Sequence, residues 1–193
     1  MRHGWVYIYE SPPASERFEE LVDHFALDGI SLTNPGTGRA ISLSPIGEQI
    51  LTTREGILKE LTERKEVPFN FYLDSTTNLF CSIDKLNDKV LREGYSLDGK
   101  TEQESERVIK SLTDLFCKRA ENRVAFGLVV DKYAGLHRDF HWDDFFVGDT
   151  PVPPEWPLLL GFSKSFGKLS VVPDRLFVRE EANNHILFRR VEN

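Results

Sequence analysis

The spacing of apolar residues along the chain predicts three amphipathic helices. Between about 14 and 27, apolar residues recur at i, i+3, i+4 and i+7, which places them on one face of a helix. A second, shorter pattern of this kind covers about 53–64. A third and more regular pattern begins at Thr101, where Glu104 follows three residues later as in a capping box. Each of these helices has one face that must pack against another element.

Other apolar segments predict strands. Trp5 to Tyr9 is rich in β-forming residues, and residues 69–74 alternate between apolar and polar side chains. Residues 123–130 form a continuous apolar strand. In the last third of the chain we predict three strands, the last two forming a hairpin: 169–172, 176–179 and 185–191.

A turn signal and the order of the elements predict the fold class. Asn34-Pro35-Gly36-Thr37-Gly38 predicts a tight turn, so Ile30–Thr33 and Ala40–Leu43 are expected to pair as a hairpin across it. The resulting order is β-α-β-β-α-β followed by β-α-β, which indicates an α+β protein. We expect a ferredoxin-like βαββαβ core, extended by a further β-α-β unit and a C-terminal β-hairpin, in a single domain over 1–193.

The charge balance restricts the kind of partner. The chain has 193 residues with 31 acids against 24 Lys and Arg, which gives a net charge of −7. Such a surface repels nucleic acid unless positive charge is concentrated locally, and no Lys/Arg run of that type occurs in the sequence. A basic protein is therefore favoured as a partner over nucleic acid.

The cysteines and the apolar segments indicate a cytoplasmic protein without a membrane anchor. Cys81 and Cys117 lie in apolar patterns and share no short spacing, so they are interpreted as reduced packing residues. The first ten residues lack the apolar region of a signal peptide. No apolar segment approaches the roughly 20 residues of a membrane span.

One segment matches a nucleotide-binding motif. Gly94 to Thr101 satisfies G-x-x-x-x-G-K-[ST], in which backbone amides and a Lys hold phosphates. The preceding residues make a poor buried strand, and Asp98 would place negative charge beside the phosphates. We interpret Gly94 as the end of a short helix from about Asp84, the Asp98-Gly99 pair as a turn and Thr101 as a helix N-cap. A P-loop enzyme stays as the alternative.

A second segment contains two histidines near several acids. As a strand, residues 137–143 would place His137, Asp139, His141 and Asp143 on one face, and as a helix His137 and His141 would stack with Asp144. Either arrangement could hold zinc or iron in a hydrolase. Because no further ligand group accompanies them, we expect the wet face of a strand, with no metal and no cofactor.

The same region combines acids with large rings. Five acids and no Lys or Arg occur from Asp139 to Glu155. Acidic charge steers a basic partner, and exposed rings dominate binding energy. The predicted partner-binding residues are Asp139, Trp142, Asp143, Asp144, Phe145, Asp149, Glu155 and Trp156.

The segment His141 to Asp149, HWDDFFVGD, is the part of the chain that resembles small immunity proteins, which protect bacteria from polymorphic or contact-delivered toxins. The chain as a whole is similar to them in being acidic, aromatic-rich and without a catalytic constellation. The resemblance implies a non-enzymatic inhibitor that masks the basic surface or active site of a toxin domain.

Overall fold

The described part of the chain folds as an α+β protein in which four helices pack on one large sheet, and the α+β class predicted from the sequence is confirmed. The computed structural model describes residues 4–132, 140–148, 157–167, 172 and 176–191. The helices are α1 (Ala14–Leu27), α2 (Arg54–Glu63), α3 (Glu102–Glu121) and α4 (Trp142–Phe146). The strands are β1 (Trp5–Glu10), β2 (Ala40–Leu43), β3 (Gln49–Thr52), β4 (Glu66–Tyr72), β5 (Asn78–Asn87), β6 (Val90–Ser96), β7 (Ala125–Asp131), β8 (Leu159–Ser163), β9 (Phe177–Glu181) and β10 (His185–Arg190).

The described strands form one antiparallel sheet. Their order is β3-β2-β4-β5-β6-β1-β7-β8-β10-β9. Strand β1 lies near the centre, between β6 and β7, while β3 and β9 form the two edges. Because side chains alternate along every strand, each strand presents one set of residues to each face of the sheet.

Helices α1, α2 and α3 cover one face. Their amphipathic patterns predicted them correctly, and Thr101 begins α3 with a complete capping box to Glu104. Rings on α1 meet rings on β4 edge to face, with 5.4 Å between the Phe18 and Phe69 centroids. These side chains are fully buried. Burial of each large ring stabilises the fold by about 2–3 kcal/mol, so this layer is the main core.

A cluster of charged side chains is buried within this core. The Arg119 guanidinium on α3 lies 2.8 Å from a Glu10 oxygen and 3.0 Å from a Glu93 oxygen, and both acids have no exposed side-chain area. Arg119 also donates to the Arg17 carbonyl and to Glu20 on α1. Burial and then the Glu93 charge raise the pKa of Glu10 well above its ordinary value, whereas Arg119 opposes this rise. The cluster ties two helices to two central strands.

On the opposite face, among the described residues, α4 and a second group of rings cover the β7–β10 half. Phe145 and Phe146 of α4 pack onto Phe162 of β8. Phe146 stacks on Tyr9 with 4.2 Å between ring centroids. A Cβ atom at Gly127 would overlap the Phe146 ring, so only glycine leaves room for it.

Two elements differ from the sequence prediction. The prediction of a hairpin between Ile30–Thr33 and Ala40–Leu43 is wrong, because Ala40–Leu43 pairs with β3 instead. The side chains of Ile30 and Leu32 are buried, and Ser31 makes only an isolated bridge with Tyr72. The ferredoxin-like order predicted for the first six elements is not confirmed, because β1 pairs with β6 and β7 and with neither partner expected for it.

The helix predicted between Asp84 and Gly94 is also wrong. These residues form the β5–β6 hairpin, in which Asp84 pairs with Arg92. At its turn the Lys89 amide donates to the Asn87 side chain, as in an Asx-turn. The strand predicted at 169–172 lies almost entirely outside the described residues.

Candidate binding surface on the open half of the sheet

The half of the second face that α4 does not cover lies on β4, β5, β6 and β1. Its centre consists of small or polar residues that are themselves buried, with Asn70, Ser82, Asp84 and Ser96 at 3–8% exposure, so the rings and Arg92 supply its accessible area. Larger rings and charged groups surround this centre. We call this surface the open face and define it by Trp5, Tyr7, Asn70, Phe80, Ser82, Asp84, Arg92, Gly94 and Ser96.

Three half-buried rings form a platform on the open face. Trp5 and Tyr7, two residues apart on β1, are parallel with centroids 5.7 Å apart. Phe80 on β5 meets the edge of Trp5 at 6.0 Å. Gly94 lies between them, where an added Cβ atom would come within 3.5 Å of both β1 rings. The rings therefore lie low on the sheet, and each keeps part of its surface exposed.

Arg92 connects the open face to α4. It donates to Asp84 at 2.6 and 3.0 Å and to Asp143 at 2.6 Å, and it lies 5.6 Å from the Tyr7 ring centroid. Tyr9 donates its hydroxyl to the other Asp143 oxygen at 2.7 Å. Burial disfavours the charge of Arg92, but Asp84 and Asp143 outweigh burial and raise the Arg92 pKa. Burial also raises the pKa of Asp84, and Arg92 opposes that shift.

The open face is acidic. Asp84 and Asp143 both accept from the Arg92 guanidinium, and Glu66 lies opposite Asp84 on β4, so carboxylates are in excess among the described residues of this region. Two buried acceptors, the Oδ1 atoms of Asn70 and Asp84, have no hydrogen-bond donor among the residues that the structure describes. Buried polar atoms normally have a partner, which makes these two positions unusual. The surface as a whole fits a ligand that carries positive charge and hydrogen-bond donors.

The residues predicted to bind a partner do not form the exposed surface that was expected. Trp142 and Phe145 are buried at 5% and 0% exposure, so their rings belong to the core and not to an exposed surface. Trp142 donates its indole N–H to Asp131 at 2.9 Å, and Asp143 is bonded within the chain. Only Asp144 points to solvent as expected. The remaining predicted residues, Asp139, Asp149, Glu155 and Trp156, lie outside the described residues, and the partner-binding role of this segment stays a prediction.

The open face itself was not predicted from the sequence. Its rings come from β1 and β5, which are far apart in the chain and become neighbours across β6. The alternation of Trp5, Tyr7 and Tyr9 was a usable signal, because it places large aromatic side chains on the same side of β1. Nothing in the local sequence indicated that α4 would leave two of those rings partly exposed.

The segment Gly94 to Thr101 does not have the geometry of a phosphate loop. Gly94 lies inside β6, where it pairs with Tyr7 and Ser82. The Lys100 ammonium donates to the Asp98 carbonyl at 3.0 Å, and Thr101 caps α3. The motif normally opens the helix that follows a parallel strand, whereas every strand pair described here is antiparallel. The expected turn is confirmed, with Gly99 at a φ of 73°.

The histidine segment and the thiols offer little chemistry among the described residues. His137 is outside the described range, and His141 is exposed at the start of α4. Within the ranges that the structure describes, no three His, Cys, Asp or Glu side chains converge as a metal ion requires. Burial raises the pKa of both thiols, that of Cys117 to about 11, so both stay protonated near neutral pH.

Comparisons with known proteins give no relative for this chain: no family model, no curated protein and no solved structure matches it. None of the described helices is both long enough and apolar enough to cross a lipid bilayer.

Proposed function

We propose that this protein is a non-enzymatic inhibitor of the immunity-protein type, which neutralises a toxin domain by covering a basic surface, and that the open face is its contact surface. The observation that carries this proposal is the platform of Trp5, Tyr7 and Phe80 within an acidic surround. Partly exposed rings of this kind supply most of the binding energy in protein interfaces. The acidic groups fit the basic partner expected from the net charge of −7.

The two parts of the surface have separate roles in this proposal. Carboxylates such as Asp144, exposed on α4, attract a basic partner over a distance of about 8–10 Å in salt solution and raise the association rate. The rings lose contact with water only in the complex, so they control the dissociation rate. Lys or Arg side chains of the partner can stack on the exposed parts of Tyr7 or Trp5.

The proposal predicts that a toxin domain is encoded beside this gene, and the test uses that domain. Cells that express this domain should stop growing, and co-expression of the parent chain should restore growth. Trp5→Ala and Phe80→Ala should each speed dissociation of the purified complex at least tenfold, since a central anchor is worth about 2 kcal/mol. Asp144→Asn should chiefly slow association and reduce its salt dependence.

Leu27→Ala provides the matched control. Leu27 is an exposed apolar residue, at 86% exposure, on helix α1 and therefore on the other side of the sheet. This variant should bind like the parent. Failure of the parent chain to restore growth would refute the immunity function. Restored growth with unchanged dissociation in Trp5→Ala and Phe80→Ala would place the contact surface elsewhere.

We also propose that a ferredoxin-like unit is built from elements other than those predicted. Strand β1, α1, β5, β6, α3 and β7 follow the βαββαβ order, and their strands have the sheet order β5-β6-β1-β7. The segment from β2 to β4 would then be an insertion after α1. This relation concerns the fold and carries no function by itself.

A further inference from the structure

The two edges of the sheet differ in how they are exposed. Edge strand β9 carries Arg179, Glu180 and Glu181, all in ion pairs, and such charges hinder pairing with another strand. Edge strand β3 has no charged residue, and Ile50 and Leu51 are 44% and 69% exposed on its two faces. Proteins usually protect sheet edges with charges, prolines or bulges, and β3 has none of these.

The direction of the free backbone groups on β3 follows from its pairing with β2. Ser44 donates its amide to the Glu48 carbonyl at 2.9 Å, which makes Ser44 and Glu48 a hydrogen-bonded pair of this ladder. Hydrogen-bonded and non-bonded pairs alternate along antiparallel strands. The amide and carbonyl of Ile50 therefore point towards β2, whereas those of Gln49 and Leu51 point outwards from the edge.

We propose that β3 pairs in antiparallel fashion with β3 of a second copy, about a two-fold axis at Leu51. In a continuous sheet, residues opposed across two strands lie on the same face, whereas neighbours along one strand lie on opposite faces. A two-fold axis between two residues would oppose such neighbours, so the axis must pass through a single residue. Centring the pair on Leu51 satisfies the outward amide and carbonyl of Leu51 with those of the second copy. It also opposes Gln49 to Thr53 of the second copy.

The side chains on this edge complement themselves under the same symmetry. The two exposed Leu51 side chains meet across the axis, next to Ile41 of each copy, which pairs with Leu51 in the β2–β3 ladder. The antiparallel direction also brings the end of β3 near the exposed Glu48 towards the end near Arg54 of the second copy. Arg54 already contacts Glu19 and Asp23 of its own chain, so the choice of a second copy over an unrelated strand depends on the self-complementary contact of the two exposed Leu51 side chains.

The association state of the purified chain tests this proposal. In sedimentation equilibrium up to about 1 mM chain, the average mass should rise from 22.2 kDa towards twice that value. Leu51→Lys, which opposes two ammonium groups at the axis, should keep the mass at 22.2 kDa. Val178→Lys is the matched control, because Val178 is 54% exposed on the other edge strand, and its mass should rise like that of the parent.

Cysteine cross-linking tests the register. The Cα atoms of a hydrogen-bonded antiparallel pair are about 5.5 Å apart, within the range of a disulfide. Mild oxidation should therefore cross-link Leu51→Cys chains efficiently. Ile50→Cys should cross-link poorly, because its position is opposed to Thr52 of the second copy and two residues away from its own equivalent.

Three results would overturn the proposal. A parent chain that stays at 22.2 kDa over the whole series excludes self-association. A dimer that persists in Leu51→Lys with its circular dichroism unchanged places the interface elsewhere. A monomeric parent whose complex with the toxin domain weakens in Leu51→Lys would assign this edge to a strand of the partner protein. The first two results leave the proposed inhibitor function unchanged, because that function depends on the open face.

Discussion

Removal of the buried guanidinium of Arg119 should destabilise the protein more than removal of any charge on the surface. In Arg119→Met, the side chain keeps much of its length and apolar contact area but loses its charge and donors. Glu10 and Glu93, both without exposed side-chain area, then lose the cation that lies 2.8–3.0 Å from their oxygens. Breaking one side of a buried ion pair costs about 3–5 kcal/mol, because the remaining charge stays buried without compensation.

The expected loss is large compared with the total stability. Domains unfold with a free energy of about 5–15 kcal/mol, and for about 200 residues each kcal/mol lowers the melting temperature by roughly 2–4 °C. Arg119→Met should therefore melt roughly 6–20 °C below the parent. Arg54→Met is the matched control: Arg54 also contacts two acids, Glu19 and Asp23, but its side chain is 36% exposed. An exposed pair of this kind is worth about 1 kcal/mol or less.

The loss should also depend on pH. The pKa of Glu10 is raised in the folded protein, so between its ordinary and its raised pKa the folded state holds more protons than the unfolded state. Stability therefore falls as pH rises through this interval. Because Arg119 opposes the rise of this pKa, its removal moves the raised pKa higher and extends the interval upwards. The difference between parent and Arg119→Met should be smaller at pH 5 than at pH 8.

Urea unfolding followed by circular dichroism at both pH values measures these quantities. Adding Glu10→Gln to Arg119→Met should recover part of the stability, since the amide carries no charge to compensate. A loss below about 1 kcal/mol would contradict the assignment of a buried ion pair. An equal loss of unfolding free energy at pH 5 and pH 8 would show that protonation of Glu10 does not cause the pH dependence.

Two further substitutions test the packing of α4 and the cap of α3. Gly127→Ala should lose about 1–3 kcal/mol in urea unfolding, because its methyl group would overlap the Phe146 ring, whereas Gly167→Ala, which meets no atom within 4 Å, should stay within about 0.5 kcal/mol. Thr101→Ala should lower the free energy of unfolding by about 1 kcal/mol through loss of the helix cap, while Lys100→Ala should leave it unchanged. Calorimetry of the parent with ATP and Mg²⁺ should show no heat of binding. Saturable binding that Lys100→Ala abolishes would refute the absence of a phosphate loop.

Helices α1, α2 and α3 were predictable because their signals are local, whereas the segment of α4 was expected to be a strand. The apolar spacing of α1 and the Thr101–Glu104 capping box of α3 lie within a single stretch of sequence. The same local reasoning failed between Asp84 and Gly94, where the Asn87-Asp88 pair was a turn signal that outweighs the apolar spacing. The hairpin predicted around residues 34–38 failed because Ala40–Leu43 lies between β3 and β4 in the sheet, while Ser31 bridges to Tyr72.

The candidate surface was less predictable, since it depends on which strands become neighbours. The rings of Trp142, Phe145 and Phe146 follow i, i+3 and i+4 spacing, which is the pattern of one buried helical face and should have indicated a core role. Trp5 and Phe80 carry no shared local pattern. They meet only because β6 lies between β1 and β5, a long-range arrangement that alternation along one strand does not specify.

Because β1 lies in the centre of the sheet, it is synthesised well before the strands with which it pairs. Residues 5–10 are made long before their neighbours β6 and β7, which end at Ser96 and Asp131. At about 5–20 residues per second, a ribosome needs roughly 4–17 s to extend the chain from β1 to the end of β6. Over that interval the β4–β5 hairpin can already close, whereas β1 keeps Trp5, Tyr7 and Tyr9 without a strand to pair with. The nascent chain therefore presents this aromatic segment to chaperones or to other nascent chains before it can fold.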